Sequence, residues 1–259
     1  MAPAAPPTSA LSLRNVVALS GRFPLLAGVD LEVGIGETVL VEGPNGAGKT
    51  SLLRVAAGLV PVASGQLTVL GLDPERYRTA VRRRVGLLAH ASHLYDDLNV
   101  RENVRFAVRA AGADVSRIDE ACSRLGLTGR VLRTGAAKLS AGQRRRVALA
   151  VLVARAPELW LLDEPHAGLD ASARLLLNQL IVEANAAGAT VLVASHEPEL
   201  VASLAGRSIT VTGGRVTAER SLVRGPAAAS PTTSAVPPAP RPARIPEPST
   251  AAGGVVHVA

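Results

Sequence analysis

The stretch Thr38-Val-Leu-Val-Glu-Gly-Pro-Asn-Gly-Ala-Gly-Lys-Thr-Ser-Leu-Leu-Arg-Val-Ala-Ala57 decides the fold. It opens as an apolar strand and closes as a helix, and Gly43-Pro-Asn-Gly-Ala-Gly-Lys-Thr50 between them has the GxxxxGK[ST] spacing of a phosphate-binding loop. Glycines let the backbone curl until successive N–H groups converge on phosphate oxygens, and the helix N-terminus adds partial positive charge. Lys49 would reach the β- and γ-phosphates, and Thr50 would offer its hydroxyl to Mg2+, a hard cation that prefers oxygen. A chance glycine-rich turn is the bland alternative. In a chain whose only lysines are Lys49 and Lys138, with both flanking elements in place, chance is the poorer explanation. The candidate nucleotide contacts are Gly43, Pro44, Asn45, Gly46, Ala47, Gly48, Lys49, Thr50 and Ser51.

A nucleotide site also needs a carboxylate for the metal and, for hydrolysis, a base. Glu158-Leu-Trp-Leu-Leu-Asp-Glu-Pro165 supplies both, with Asp163 ending a buried strand near the metal and Glu164 following as candidate base. Taken alone, that Asp-Glu pair is as readily an ordinary strand-to-loop transition. Upstream, Leu139-Ser-Ala-Gly-Gln143 precedes a helical run from Arg144 to Ala150. Ser140 and Gln143 have the spacing of a capping box, which exposes a helix N-terminus able to face a γ-phosphate. An ordinary capped helix is the alternative, and the run Arg144–Arg146 reads as a solvated face or a nucleic-acid patch.

The composition sets limits on the rest. Of 259 residues 47% are apolar and the mean hydropathy is +0.25, yet only Phe23, Tyr77, Tyr95, Phe106 and Trp160 are aromatic, so the core must be built from Ala, Val and Leu. No stretch reaches the roughly 20 apolar residues that span a bilayer; Val55–Leu72 is interrupted by Gly58, Pro61 and Gly65. A soluble chain without a secretory leader is expected. The single Cys122 excludes an internal disulfide and fits a reducing compartment. The net charge of +7 lies partly in the C-terminal portion.

Residues 1–10 and 223–259 are rich in Pro, Ala, Ser and Thr and are expected to be disordered tails. The folded unit is expected over 11–222. Strands are expected at Val29–Val33, Thr38–Glu42, Gln66–Leu70, Val85–Leu88, Leu159–Leu162, Thr190–Ala194 and Ser208–Val211, and helices at Lys49–Ala57, Arg101–Ala111, Ala141–Ala154 and Ser172–Ala186. Their alternation makes this an α/β chain with a largely parallel sheet covered on both faces. No internal repeat is present.

Together these residues resemble the ATP-binding cassette family. Its motifs stand in order: Gly43–Thr50 as Walker A, a Q-loop position, Leu139-Ser-Ala-Gly-Gln143 as signature, Walker B ending at Asp163-Glu164, Ala167-Gly-Leu-Asp170 as D-loop, and His196 after Thr190-Val-Leu-Val-Ala-Ser195 as switch histidine. The resemblance implies a P-loop NTPase with a RecA-like core, an N-terminal antiparallel β part and a helical subdomain over about 92–155. It implies ATP and Mg2+ as ligands, Glu164 and His196 as catalytic residues, and Ser140, Gly142, Gln143 and Asp170 as further nucleotide contacts. It also implies a second ATP-binding domain, in a homodimer with ATP sandwiched between Walker A of one copy and the signature of the other.

Three positions depart from the general pattern: His90 stands at the Q-loop glutamine, Ala141 replaces the commonest signature glycine, and the adenine-stacking aromatic is missing near Ser20, with Phe23 a displaced candidate. His90 reads as a neighbour of a metal site with Thr50 and Asp163, as a coupling residue, or as a satisfied loop histidine. A histidine at the Q-loop looks like the ATPase subunits of heme exporters in cytochrome c biogenesis, although Val151 and His166 depart from that pattern. That resemblance implies a peripheral subunit on the cytoplasmic face of the membrane, powering export through separate integral-membrane subunits, with no nucleic acid. The alternatives are another exporter, of drug or lipid, and a soluble cassette ATPase in nucleic-acid or cofactor-assembly processes.

Overall fold

The computed structural model describes residues 9–222. Its N-terminal half runs β1 (Ser9–Ser20), β2 (Phe23–Gly34), β3 (Thr38–Glu42), α1 (Lys49–Ala56), β4 (Ser64–Val69), α2 (Arg78–Arg84) and β5 (Val85–Leu88). Then follow α3 (Val100–Ala110), α4 (Ile118–Arg124), α5 (Ala141–Arg155), β6 (Leu159–Asp163), α6 (Ala171–Ala186), β7 (Thr190–Ala194), α7 (Glu199–Ala202), β8 (Arg207–Thr212) and β9 (Arg215–Ser221).

Six strands form the central sheet in the order β5-β6-β7-β3-β8-β9, parallel except for the antiparallel edge strand β9. Alternation along each strand divides the core in two. Leu40, Trp160, Leu162, Val191 and Val193 face the helices α3 to α6, whereas Val39, Val41, Leu161, Leu192 and Ile209 face α1 and a second, antiparallel sheet, β2-β1-β4. The largest fully buried side chains are all leucines, and of the five aromatics only Trp160 is buried, as the composition requires. Its indole N–H donates to the Pro157 carbonyl at 3.1 Å.

Register fixes where the site lies. Val41 pairs with Ala194, and Ala194 pairs with Asp163, so β3, β7 and β6 all leave the sheet at one level. Ligands of open α/β sheets collect at such carboxyl ends, next to a reversal of strand order.

The expected strand and helix positions are all occupied, with ends moved by a few residues, but five elements are additional. They are strands β1 and β9 and helices α2, α4 and α7. Strand β1 begins at Ser9, so Ser9 and Ala10, expected in a tail, belong to the sheet: Ala10 is fully buried between β2 and β4, and its carbonyl accepts from Leu70 N–H at 2.8 Å. Residues 1–8 and 223–259 lie outside the described residues.

Ala10→Asp would put an unpaired carboxylate at a position with 0% exposure, whereas Leu19→Asp would alter one with 40%. Urea unfolding should show a loss of about 2 kcal/mol or more for the first and less than about 0.5 kcal/mol for the second.

Candidate nucleotide site

The loop between β3 and α1 is held from outside. Gly43 has φ 143°, and a Cβ there would stand 2.2 Å from the Val211 carbonyl oxygen. Gly48, the N-cap of α1, has φ 111° and lies against the Leu25 carbonyl and Gly214. Both positions need glycine on conformational and steric grounds. The β8–β9 turn completes the frame: Gly214 N–H donates to the Ala47 carbonyl, and Ala27 N–H donates to the Gly214 carbonyl, both at 2.8 Å. Sequence reasoning missed this buttress, although Gly213-Gly214 between two strand-like runs is a hairpin signal.

Lys49 is buried within the loop, its ammonium donating to the Gly43 carbonyl at 2.7 Å and the Pro44 carbonyl at 3.1 Å. The first turn of α1 carries no acidic residue, so nothing offsets its positive end. Thr50 Oγ1 sits 3.0 and 2.9 Å from the two carboxylate oxygens of Asp163 and donates to that group. A hydroxyl and a carboxylate converging at the mouth of an anion-binding loop are the oxygen donors a hard divalent cation takes, so these residues fit Mg2+.

Beside them, Glu164 and His196 meet directly. The carboxylate accepts from the His196 backbone N–H at 3.2 Å, and Oε2 is 2.7 Å from His196 Nδ1. Glu164 itself has φ 48°, an uncommon conformation for a side chain of this kind. Its backbone N–H donates to the Ala194 carbonyl at 2.9 Å, the bond that ties the end of β6 to β7.

The signature segment does form a capped helix. Gln143 N–H donates to Ser140 Oγ at 3.2 Å, and Ser140 N–H donates to Gln143 Oε1 at 3.0 Å, a reciprocal capping box at the start of α5. Ser140 and Ala141 are exposed and Gly142 and Gln143 half-buried. Among the described residues no hydrogen bond joins 140–143 to 43–50 within the chain.

Neither reading of Arg144–Arg146 as a free surface holds. Arg144 binds Asp96 at 2.8 Å and the Ala136 carbonyl at 2.8 Å, Arg146 binds Asp170 at 2.9 Å, and Arg145 is buried against four backbone carbonyls. Asp170 caps α6 through Ala173 N–H at 2.8 Å and also accepts from Ser172 Oγ at 2.6 Å; these bonds hold its carboxyl below the usual range. A nucleotide contact by Asp170 must therefore compete with, or go through, its role as a cap.

His90 is exposed in the bend after β5, without a hydrogen bond to Thr50 or Asp163. Among the described residues no group of three or more His, Cys, Asp and Glu side chains is gathered. Phe23 is 78% exposed at the start of β2, and two residues on, Leu25 touches the Gly48 position.

A phosphate loop and a carboxylate–histidine pair at the carboxyl ends of parallel strands define a nucleotide hydrolase of the P-loop class. The family profile described as ABC transporter matches residues 26–167, and the chain belongs to that family. It is 41% identical over 188 residues to the cytochrome c biogenesis ATP-binding export protein CcmA of Methylococcus capsulatus, covering 72% of this chain and 90% of that one. It is 38% identical to the Fe(3+) ions import ATP-binding protein FbpC of Streptomyces avermitilis, covering 80% and 61%. A dimeric ATP-binding cassette in a post-hydrolysis state with ADP and Pi superposes with a TM-score of 0.74 at 26% identity, over 82% of this chain and 99% of that one. The chain is the ATP-binding subunit of an ABC transporter, and cassettes of this family are ATPases.

His166, directly after Pro165 in the loop that follows β6, is buried with Nε2 2.8 Å from Asn178 Oδ1, and its Nδ1 has no partner among the described residues. Burial pushes its pKa below the ordinary histidine value, so the folded state favours the neutral ring. The stability this gives is complete above the unfolded-state value of about 6.5 and is lost as pH falls below it toward the folded-state value. Thermal melting of wild type and His166→Phe should diverge in slope: the wild type loses stability from about pH 6.5 downward more steeply than the variant.

Proposed function

We propose that this chain hydrolyses ATP to power heme export for cytochrome c biogenesis, acting as a pair beneath integral-membrane subunits that are separate chains. For hydrolysis the carrying observation is the 2.7 Å approach of His196 to Glu164 beside Thr50 and Asp163. For heme, the support is that similarity to the CcmA protein extends over 90% of that relative's length, against 61% of the iron-import relative. An exporter of another cargo is the competing reading.

The residues divide the work as follows. Lys49 exchanges the Gly43 and Pro44 carbonyls for the β- and γ-phosphate oxygens, and the backbone from Gly43 to Ser51 supplies N–H donors. Thr50 and Asp163 would hold Mg2+, which neutralises charge on the phosphates when bound. Glu164 takes a proton from the attacking water, and His196, oriented by that same carboxylate, contacts the γ-phosphate. Ser140, Gly142 and Gln143 of a second copy, at the exposed start of its α5, close the site from the other side. Phe23 offers an exposed ring for the adenine. The exposure of His90 supports coupling to a partner over metal ligation.

Among the described residues no helix is long and apolar enough to cross a membrane. A groove lined by Arg54, Leu59, Val60, Arg82, His93 and Arg155 combines apolar walls with basic groups. It suits an acidic, apolar segment of a membrane subunit on the cytoplasmic face.

Glu164→Gln should reduce steady-state phosphate release by about 100-fold or more, leave ATP binding within about twofold, and accumulate a dimer in MgATP. Substantial turnover in that variant removes Glu164 as the base. Lys49→Ala should instead weaken nucleotide affinity in a direct binding titration. Affinity purification from detergent-solubilised membranes should recover an integral-membrane partner and, when that partner is reconstituted, ATP turnover that rises with added heme; turnover insensitive to heme counts against the cargo.

A further inference from the structure

Arg145 is 6% exposed and, among the described residues, has no carboxylate within ion-pair distance, an uncommon state for a guanidinium. Its donors instead converge on backbone carbonyls from two segments. Nη1 donates to Ala89 at 2.6 Å; Nη2 donates to Asp163 at 3.0 Å and Glu164 at 2.6 Å; Nε reaches Pro165 at 3.5 Å. Burial works against its charge, and the nearby Asp163 and Glu164 carboxylates work in its favour. An apolar side chain of equal length would fill the space, but it would leave these carbonyls without donors.

Three features give the arrangement a meaning beyond packing. Glu164 is one of the few non-glycine residues with positive φ, and Arg145 holds the carbonyl of that same residue. Arg145 lies on the first turns of α5, five residues after the exposed Ser140. The Ala89 carbonyl belongs to the residue immediately before His90. One side chain therefore links the start of the signature helix, the Q-loop position and the backbone of the candidate base.

We propose that Arg145 is a positioning residue for hydrolysis: it fixes the left-handed conformation of Glu164, and so the aim of its carboxylate, according to the placement of α5 and the 89–90 segment. A shift of α5 on contact with nucleotide is thereby passed to the base. The proposal rests on Glu164 being the base. It predicts a residue that never touches ATP yet acts on turnover rather than on affinity.

The test uses the full-length chain with Arg145→Lys, which keeps a cation and part of the donor set, and Arg145→Gln, which keeps neither the charge nor the planar fork. Steady-state kcat and KM, ATP affinity and thermal melting are measured for both, with Glu164→Gln in parallel. The expected result is a kcat lower by on the order of 10²-fold in Arg145→Gln, the cost of misplacing a catalytic group by about an ångström, with partial recovery in Arg145→Lys. ATP affinity should stay within about threefold of wild type in both variants. Wild-type kcat in both variants overturns the proposal. So does parallel loss of affinity, kcat and melting temperature in both, which makes Arg145 a structural residue. If Glu164→Gln itself retains turnover, the reading of Glu164 fails independently of what Arg145 does.

Discussion

The Gly43 backbone passes so close to the Val211 carbonyl oxygen that a methyl group would stand 2.2 Å from it. Strand β8 therefore sets the path of the chain as it leaves β3, and the β8–β9 turn secures the far side of the same loop through Gly214 and Ala47. This contact turns a flexible glycine run into a preformed anion cradle. Ordering so many glycines costs more chain entropy than any other composition would, and the cost is met by fixed neighbours before any phosphate arrives.

A second constraint follows from charge. Within the loop, the Lys49 ammonium has two carbonyls for partners, and beneath the candidate base the Arg145 guanidinium has four. Among the described residues, neither cation is bonded to a carboxylate. In the proposed site, this leaves Lys49 a charge that can exchange its carbonyl partners for phosphate. For Arg145, whose partners are backbone of its own chain on two sides, it produces a rigid junction. Arg146 adds a second tie from the same helix to Asp170 at the head of α6.

Much of this was legible in the sequence because the chemistry is local. The strand–loop–helix of residues 38–57, the capping box at Ser140 and Gln143, and the strand ending at Asp163 each declare themselves within one short, continuous stretch. What was missed depends on partners distant in sequence or on broken periodicity. Strand β1 is interrupted by Asn15, whose φ of 47° shifts the register between Leu13 and Val16, so its alternation is lost midway. Pro24 and Gly28 obscure the first half of β2 in the same way. Helices α2 and α4, of seven residues each, are too short for a 3.6-residue period to show. The three arginines after the signature look alike in sequence, and only the fold separates a surface ion pair, a buried junction and a tie to α6.

In the proposed cycle ATP is hydrolysed between two copies, one giving the loop, Asp163, Glu164 and His196, the other giving the open end of α5. Helix α5 begins with an exposed, capped turn that makes no hydrogen bond to the phosphate loop of its own chain among the described residues. The most direct test is the specific rate of MgATP hydrolysis measured across a wide range of protein concentration. Hydrolysis between two copies requires a rate per chain that rises with concentration and levels off once dimers are saturated. A rate per chain that is constant down to concentrations where only monomers are detected would contradict it.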